Sequence, residues 1–567
     1  MHAVLRAHPA RTQLASAALL LVSFQAHAQQ APQGVPNAGT ILQQTQPPLT
    51  PAPRTQAPTL QVAPQGGSGL PATAPFQVDA IRIVGNTAFP TAILHALVAD
   101  GEGKQLTLPQ LEALAARITA HYQRNGFPLS RAVVPAQTIA GGAVTIQVLE
   151  ARYGAVRVDN GTRVDTALLE ATAAALAQGT SISEKGLDRT LLLLSDIPGV
   201  GVNAILKPGA VVGSADLEIA ASHNPATMAS LALDNAGNRY IGRARASGTL
   251  SLFNPLHRGD ILSATVLSTG ERMNYGRLSY ELLVSGDGTR IGVSYSALRY
   301  TLGEEIRDLD ANGRAGVASA WIRHPILRGR DASVYGQLQF DRKRLRDRIG
   351  ISDIRTDRDL DNWVLSLNGD LRDGLWGGGI SSWSLAWTGG KVGFQDAAAG
   401  ALDQASARTR GGYAKWNANF SRVQALWQPA TTLALNLAAQ SSDRNLDSAE
   451  KMSIGGPYTV RAYDVGALSG DTGYFGSLEL RHDLGAFAAG RWQASAFVES
   501  ARIKPNRDAW TVADDHASLS GAGLGLNWDG PQLWRASLSV AAPIGGESGL
   551  LAPPASARAW FLLSKEF

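Results

Sequence analysis

The residues best placed to do chemistry lie in Gly455–Asp464 (GGPYTVRAYD), where one cation, Arg461, follows two glycines and a proline. Gly455 and Gly456 allow close backbone approach, and a guanidinium held against a backbone wall needs an anion. In Arg491–Ile503, alternation puts Trp492, Ala494, Ala496 and Val498 on one face. Arg491, Gln493, Ser495, Phe497 and Glu499 fall on the other. If that second face lines a lumen, Arg461 and Glu499 form a charge-assisted, two-pronged pair away from bulk water. Such a pair is a latch, because stripping one partner from a buried ion pair costs about 3–5 kcal/mol. Nothing comparable points to catalysis. The sequence holds no H-E-x-x-H, G-x-S-x-G or P-loop, and its carboxylates and 10 histidines form no catalytic or ligand motif. No catalytic residue, metal or cofactor is expected.

Composition narrows the setting. Cysteine is absent, which excludes disulfides, thiolate metal sites and thiol nucleophiles. Lys+Arg total 51 against 47 Asp+Glu, with no dense basic run, so nucleic acid is not an expected partner. A hydrophobic content of 44% suits either a soluble protein or a transmembrane β-barrel, whose lumenal residues dilute its apolar ones. At the N-terminus Arg6 and Arg11 precede the apolar run Leu14–Phe24 and then Ala26-His27-Ala28. That is the layout of a secretory leader over residues 1–28, cut before Gln29. No later stretch is long and apolar enough for a membrane helix, so any membrane crossing must use strands.

Residues 29–75 are rich in Pro, Gln, Ala and Thr and read as a linker, with Asn37–Thr45 (NAGTILQQT) able to form a short helix. Residues 76–152 read β-α-α-β-β. Within them, Thr107–Gly126 places Leu108, Leu111, Leu114, Ile118 and Tyr122 on one helical face. Residues 153–222 repeat that order, with Leu187, Leu191 and Leu194 inward on the helix Ser183–Ser195. From residue 223 to 567 helical periodicity is lost. About sixteen alternating segments follow, bounded by Gly, Asp, Asn or Pro. Trp363, Leu365, Leu367 and Leu371, for instance, alternate with Asn362, Ser366, Asn368 and Asp370. Strands of ~9–11 residues with this dyad are those of a transmembrane barrel. The fold class expected is a transmembrane β-barrel of about sixteen antiparallel strands, preceded by two small α+β domains. A loop around residues 451–470 would fold inward, and the charged run Asp341–Asp361 reads as a solvated extracellular hairpin.

Several motifs together resemble one family. "GNTAFP" within Phe76–Pro90, Tyr122–Pro135 (YQRNGFPLSRAVVP) and Val144–Glu150 (VTIQVLE) resemble the first POTRA (polypeptide-transport-associated) domain of TpsB proteins. These are the outer-membrane transporters of two-partner secretion, of the FhaC/ShlB/HecB type. Leu191–Val200 (LLLLSDIPGV) resembles the end of the second POTRA domain. Val460-Arg461-Ala462-Tyr463 resembles the VRGY motif of a superfamily that includes BamA, with Ala462 in place of the glycine. Phe497-Val498-Glu499-Ser500-Ala501 resembles its partner motif F-x-D-x-G, with Glu499 for the aspartate and Ala501 for the glycine. The resemblance implies an outer-membrane location with POTRA domains in the periplasm. It implies capture of an unfolded TpsA-type exoprotein and its export through the barrel without ATP. It also implies a terminal-Phe strand read by the barrel-assembly machinery, a lipid-embedded monomer, and a lumenal plug formed by the helix at 37–45. A barrel-assembly factor of the BamA kind and a passive porin are the other readings.

Overall fold

A computed structural model describes residues 35–45, 74–426, 430–510, 515–545 and 555–567, together with the backbone of 59–62. The leader read at residues 1–28 lies outside the described residues.

Sixteen antiparallel strands, from Thr227–Asp234 to Arg558–Glu566, close into a barrel. The first and last strands pair from Ser230↔Glu566 to Asp234↔Leu562, so no edge is left open. Alternation sets the two faces. On Ile354–Asp373, Trp363, Leu365 and Leu367 stand exposed on the outer wall while Asn362 is buried inside. On Gly490–Lys504, Val498 faces outward and Phe497 and Glu499 are buried. Such a wall presents apolar side chains to lipid and polar ones to the lumen.

Two small domains precede the barrel. In the first, the helix Leu108–Arg124 starts on a Thr107/Gln110 capping box and buries Leu111, Leu114, Ile118 and Tyr122. It lies on a three-stranded sheet in which Ala143–Leu149 is central, parallel to Ala80–Val84 and antiparallel to Arg131–Val133. In the second, the helix Glu184–Ser195 buries Leu187, Leu191 and Leu194 against strands Arg152–Asn160, Val200–Pro208 and Ser214–His223. The linker also contributes a strand, absent from the sequence reading. Thr59–Val62 pairs in parallel with Val200–Pro208, from Thr59↔Asn203 to Val62↔Leu206, and takes its outer edge.

The second domain is fastened to the barrel mouth. Arg328 grips Asp196 with two hydrogen bonds of 2.7 Å, and Arg330 meets Asp188 at 2.8 Å. Inside the barrel, the helix Ala38–Thr45 buries Ala38, Ile41 and Leu42 among Leu298, Tyr300, Leu345 and Leu360.

The charged run Asp341–Asp361 is a hairpin, but only part of its charge is solvated. It is the facing halves of two long strands, Ala332–Ile349 and Ile354–Asp373, joined by a tight turn at 350–353. Alternate residues face the lumen, and of these Asp341, Leu345, Arg358 and Leu360 are buried. Lys343 meets Glu450 at 2.6 Å, while Arg358 bridges Asp347 and Asp447 at 2.7 Å each. The run is hydrophilic on both faces: its inward charges build a second network inside the wall, while Arg342, Arg348, Asp353, Arg355 and Asp361 stay exposed.

Candidate functional site in the barrel lumen

Between strands Thr431–Ser442 and Thr472–Phe487 the chain turns inward as a narrow loop. A short ladder, Met452–Ile454 with Leu468–Gly470, forms its stem. Gly455 and Gly456 then take φ of +104° and +100°. A side chain on Gly455 would run into the carbonyl of Asp464, so the stem closes only on glycine. The Thr459 hydroxyl accepts the Gly455 N–H at 2.8 Å, and Gly456 N–H donates to the Tyr463 carbonyl. This turn carries Val460, Arg461, Ala462 and Tyr463 to the wall, with Val460 and Ala462 fully buried and Tyr463 nearly so.

Arg461 and Glu499 meet there. Arg461 Nε donates to Glu499 Oε1 at 2.6 Å, and the Arg461 backbone N–H donates to Oε2 at 2.7 Å. The second guanidinium prong reaches Glu479 Oε2 at 2.9 Å, and Arg481 holds the other oxygen of Glu479 at 3.0 Å. The Arg461 guanidinium lies flat over Phe497, 3.2 Å from the ring centre, adding a cation–π contact. Trp560 of the last strand donates its indole N–H to the Arg461 carbonyl at 2.7 Å. Two arginines and two glutamates thus satisfy one another with both carboxylates buried, the arrangement in which an ion pair holds firmly.

Sequence reasoning placed Arg461 and Glu499 on facing surfaces but missed Glu479 and Trp560. Glu479 was legible by parity, since it shares the water-facing register of Ser477 and Arg481. Trp560 carried no such signal, because it lies in an unbroken apolar run, Trp560–Leu563, in which alternation assigns no face.

Past the tip, Asp464 accepts from Arg243 and Arg558 at 2.7 Å each, tying the loop to the closing seam of the barrel. At its base, Glu450 sits between Lys343 and Lys415, at 2.6 and 2.9 Å. The same base holds the N-terminal helix. Ser448 donates to Asn37, and Ala38 N–H donates to Asp347, the carboxylate that Arg358 also grips. Below the tip lies a cavity of about 2250 Å³, lined in part by Ser366, Asn368, Ser384, Asn417, Asn419 and Asn436.

Known proteins decide the family. The family model described as haemolysin secretion/activation protein ShlB/FhaC/HecB matches residues 213–528, more than half of the chain. The chain belongs to this family. A POTRA domain of ShlB type matches residues 76–151. The heme/hemopexin transporter protein HuxB of Haemophilus influenzae (strain 86-028NP) is 25% identical over 476 residues, 83% of this chain and 84% of that protein. The outer membrane transporter CdiB of Dickeya dadantii (strain 3937) is 23% identical over 428 residues, 71% and 72% of the two chains. The solved CdiB from Escherichia coli superposes with a TM-score of 0.73 at 20% identity, covering 89% of this chain and 93% of that one. As a member of the ShlB/FhaC/HecB family, the protein is a TpsB transporter of the outer membrane. It exports an exoprotein by two-partner secretion, with its POTRA part in the periplasm. The family consists of transporters.

Proposed function

We propose that Arg461 is the lock that keeps the inward loop seated while cargo passes, and that Val460–Tyr463 with Phe497 and Glu499 form its two halves. The observation that carries this reading is the double grip of Glu499 on Arg461, through both side chain and backbone. Four wall residues from three strands converge on one loop residue, which is more restraint than a passive pore lining needs.

Cargo capture is assigned to the periplasmic domains, taken as residues 76–152 and 153–222, ahead of a barrel from 223 to 567. An extended segment binds by adding a strand alongside Val200–Pro208, through main-chain hydrogen bonds with modest side-chain selection. Thr59–Val62 occupies that place in the resting state, so arriving cargo has to displace the chain's own linker. The helix Ala38–Thr45 plugs the lumen until then. The barrel works as a monomer in lipid and is inserted by the barrel-assembly machinery.

The test is Arg461→Ala. Export of the partner exoprotein is expected to be lost while the barrel stays folded and inserted, read as heat-modifiable migration on a gel. Full export by this variant would end the assignment.

A further inference from the structure

The loop motif departs from its family pattern at one atom: Ala462 carries a methyl group where VRGY has none. Ala462 is fully buried, so the wall must make room for that methyl. It does so on the strand Ala517–Asp529. Gly521 on this strand stands directly opposite Glu499, and Gly523 directly opposite Phe497. A Cβ built on Gly521 would lie 2.7 Å from the Ala462 methyl and 3.5 Å from Val460 Cγ1. A Cβ on Gly523 would run into the Val540 carbonyl oxygen of the next strand and lie 2.5 Å from the tip of the Phe497 ring on which the guanidinium rests. Neither glycine has the left-handed backbone that favours glycine, so what each supplies is space. The contrast with Gly525, two residues on, is informative. There the nearest neighbour is the Ser495 hydroxyl, which can rotate away, whereas the methyl of Ala462 has no rotamer to adopt.

We infer that Gly521 is a positioning residue for the lock: the missing side chain forms the socket for Ala462, so the pair Ala462/Gly521 sets the depth at which Arg461 reaches Glu499. This inference rests on the reading of Arg461 as the lock. Its physical basis is that interiors are close-packed, so adding one methyl to a filled site displaces its occupant.

The chain has no cysteine, so a single Val460→Cys reports loop seating by its rate of maleimide labelling in the intact, detergent-solubilised protein. Val460 is fully buried in the seated loop, and labelling of this parent is expected to be slow. Adding Gly521→Ala is expected to speed labelling roughly tenfold or more. Adding Ala462→Gly to that variant returns the rate to the parent's, and Gly525→Ala alone leaves it unchanged. The inference falls if Gly521→Ala labels at the parental rate, if Ala462→Gly fails to rescue it, or if Gly525→Ala labels equally fast. Should Gly521→Ala not fold, Ala462→Val fills the same socket from the loop side, and parental labelling in that variant is equally fatal. No cargo is needed. Accelerated labelling with unaltered export would therefore overturn the lock reading while leaving the socket intact.

Discussion

Arg461 makes three kinds of contact that no other side chain could make together. Its Nε and backbone N–H share Glu499, its outer prong takes Glu479, and its flat face covers Phe497. Lysine has the charge but neither fork nor plane. Arg461→Ala leaves Glu499 buried beside Glu479 without its cation, at a cost of about 3–5 kcal/mol. Glu479→Gln is milder, because Glu499 keeps both of its bonds. Its expected effect is about 1–2 kcal/mol, seen as partial loss of export with the barrel's heat-modifiability unchanged. Export as low as in Arg461→Ala would mean that Glu479, not Glu499, is the main anchor. The Arg461–Glu499 meeting was legible in the sequence because Phe497–Ala501 resembles the partner motif and alternation assigns Glu499 to the inner face. The depth of the site was not: Glu479 stands on the inner face of the adjoining hairpin strand with nothing to single it out from Ser477 and Arg481, and Trp560 comes from the last strand, which no local signal places beside the loop.

The elements differ in how openly the sequence declared them. The barrel strands announced themselves through their dyad, and the two longer helices through spacing and caps. The linker strand Thr59–Val62 was hidden, because four residues inside a Pro- and Gln-rich run are too few to stand out from it. Replacing Thr59–Val62 with Gly-Ser-Gly-Ser weakens that pairing. It is expected to raise the affinity of the full chain for an extended cargo segment severalfold, measured by fluorescence anisotropy. Unchanged affinity would place capture at a different edge.

In the first domain, three stretches singled out in the sequence converge on Glu150. It accepts the N–H groups of Thr87 and Ala88, at 2.6 and 2.7 Å, the Thr87 hydroxyl, and the Tyr122 hydroxyl at 2.8 Å. Burial pushes its carboxyl up, but these donors outweigh burial and hold it below the usual carboxylate range. The ionised form is the one the fold favours. Its stabilising effect is present above a pH of about 4.3, the value of a free glutamate, and fades as pH falls through the lower folded value. Calorimetry of the periplasmic unfolding transition is expected to show this acid-side loss in the wild type and not in Glu150→Gln. Identical acid-side slopes would exclude Glu150 as its source.

At the scale of the whole molecule, the two charged networks divide the work. The lock ties the loop tip to the seam side of the barrel, through strands twelve and thirteen and the last strand. The second network, Asp347–Arg358–Asp447 with Lys343–Glu450–Lys415, ties the loop base to the N-terminal helix. Removing Gln29–Thr45 empties the seat of that helix and is expected to raise conductance in planar bilayers while Arg461 stays locked. Unchanged conductance would show that the helix blocks nothing. The sequence hid this second network because Asp341–Asp361 has the composition of an exposed loop. Only the registered pairing of its two halves shows which charges turn inward.

The position of the N-terminal helix has a consequence for the order of assembly. Gly39 lies so close to Ser448 and Ala449 that a side chain there would collide with both, and Ala38 donates to Asp347. Its seat does not exist until eleven strands are in register and the loop after them has turned inward. The stretch that leaves the ribosome ahead of every strand therefore settles only after most of the wall has formed.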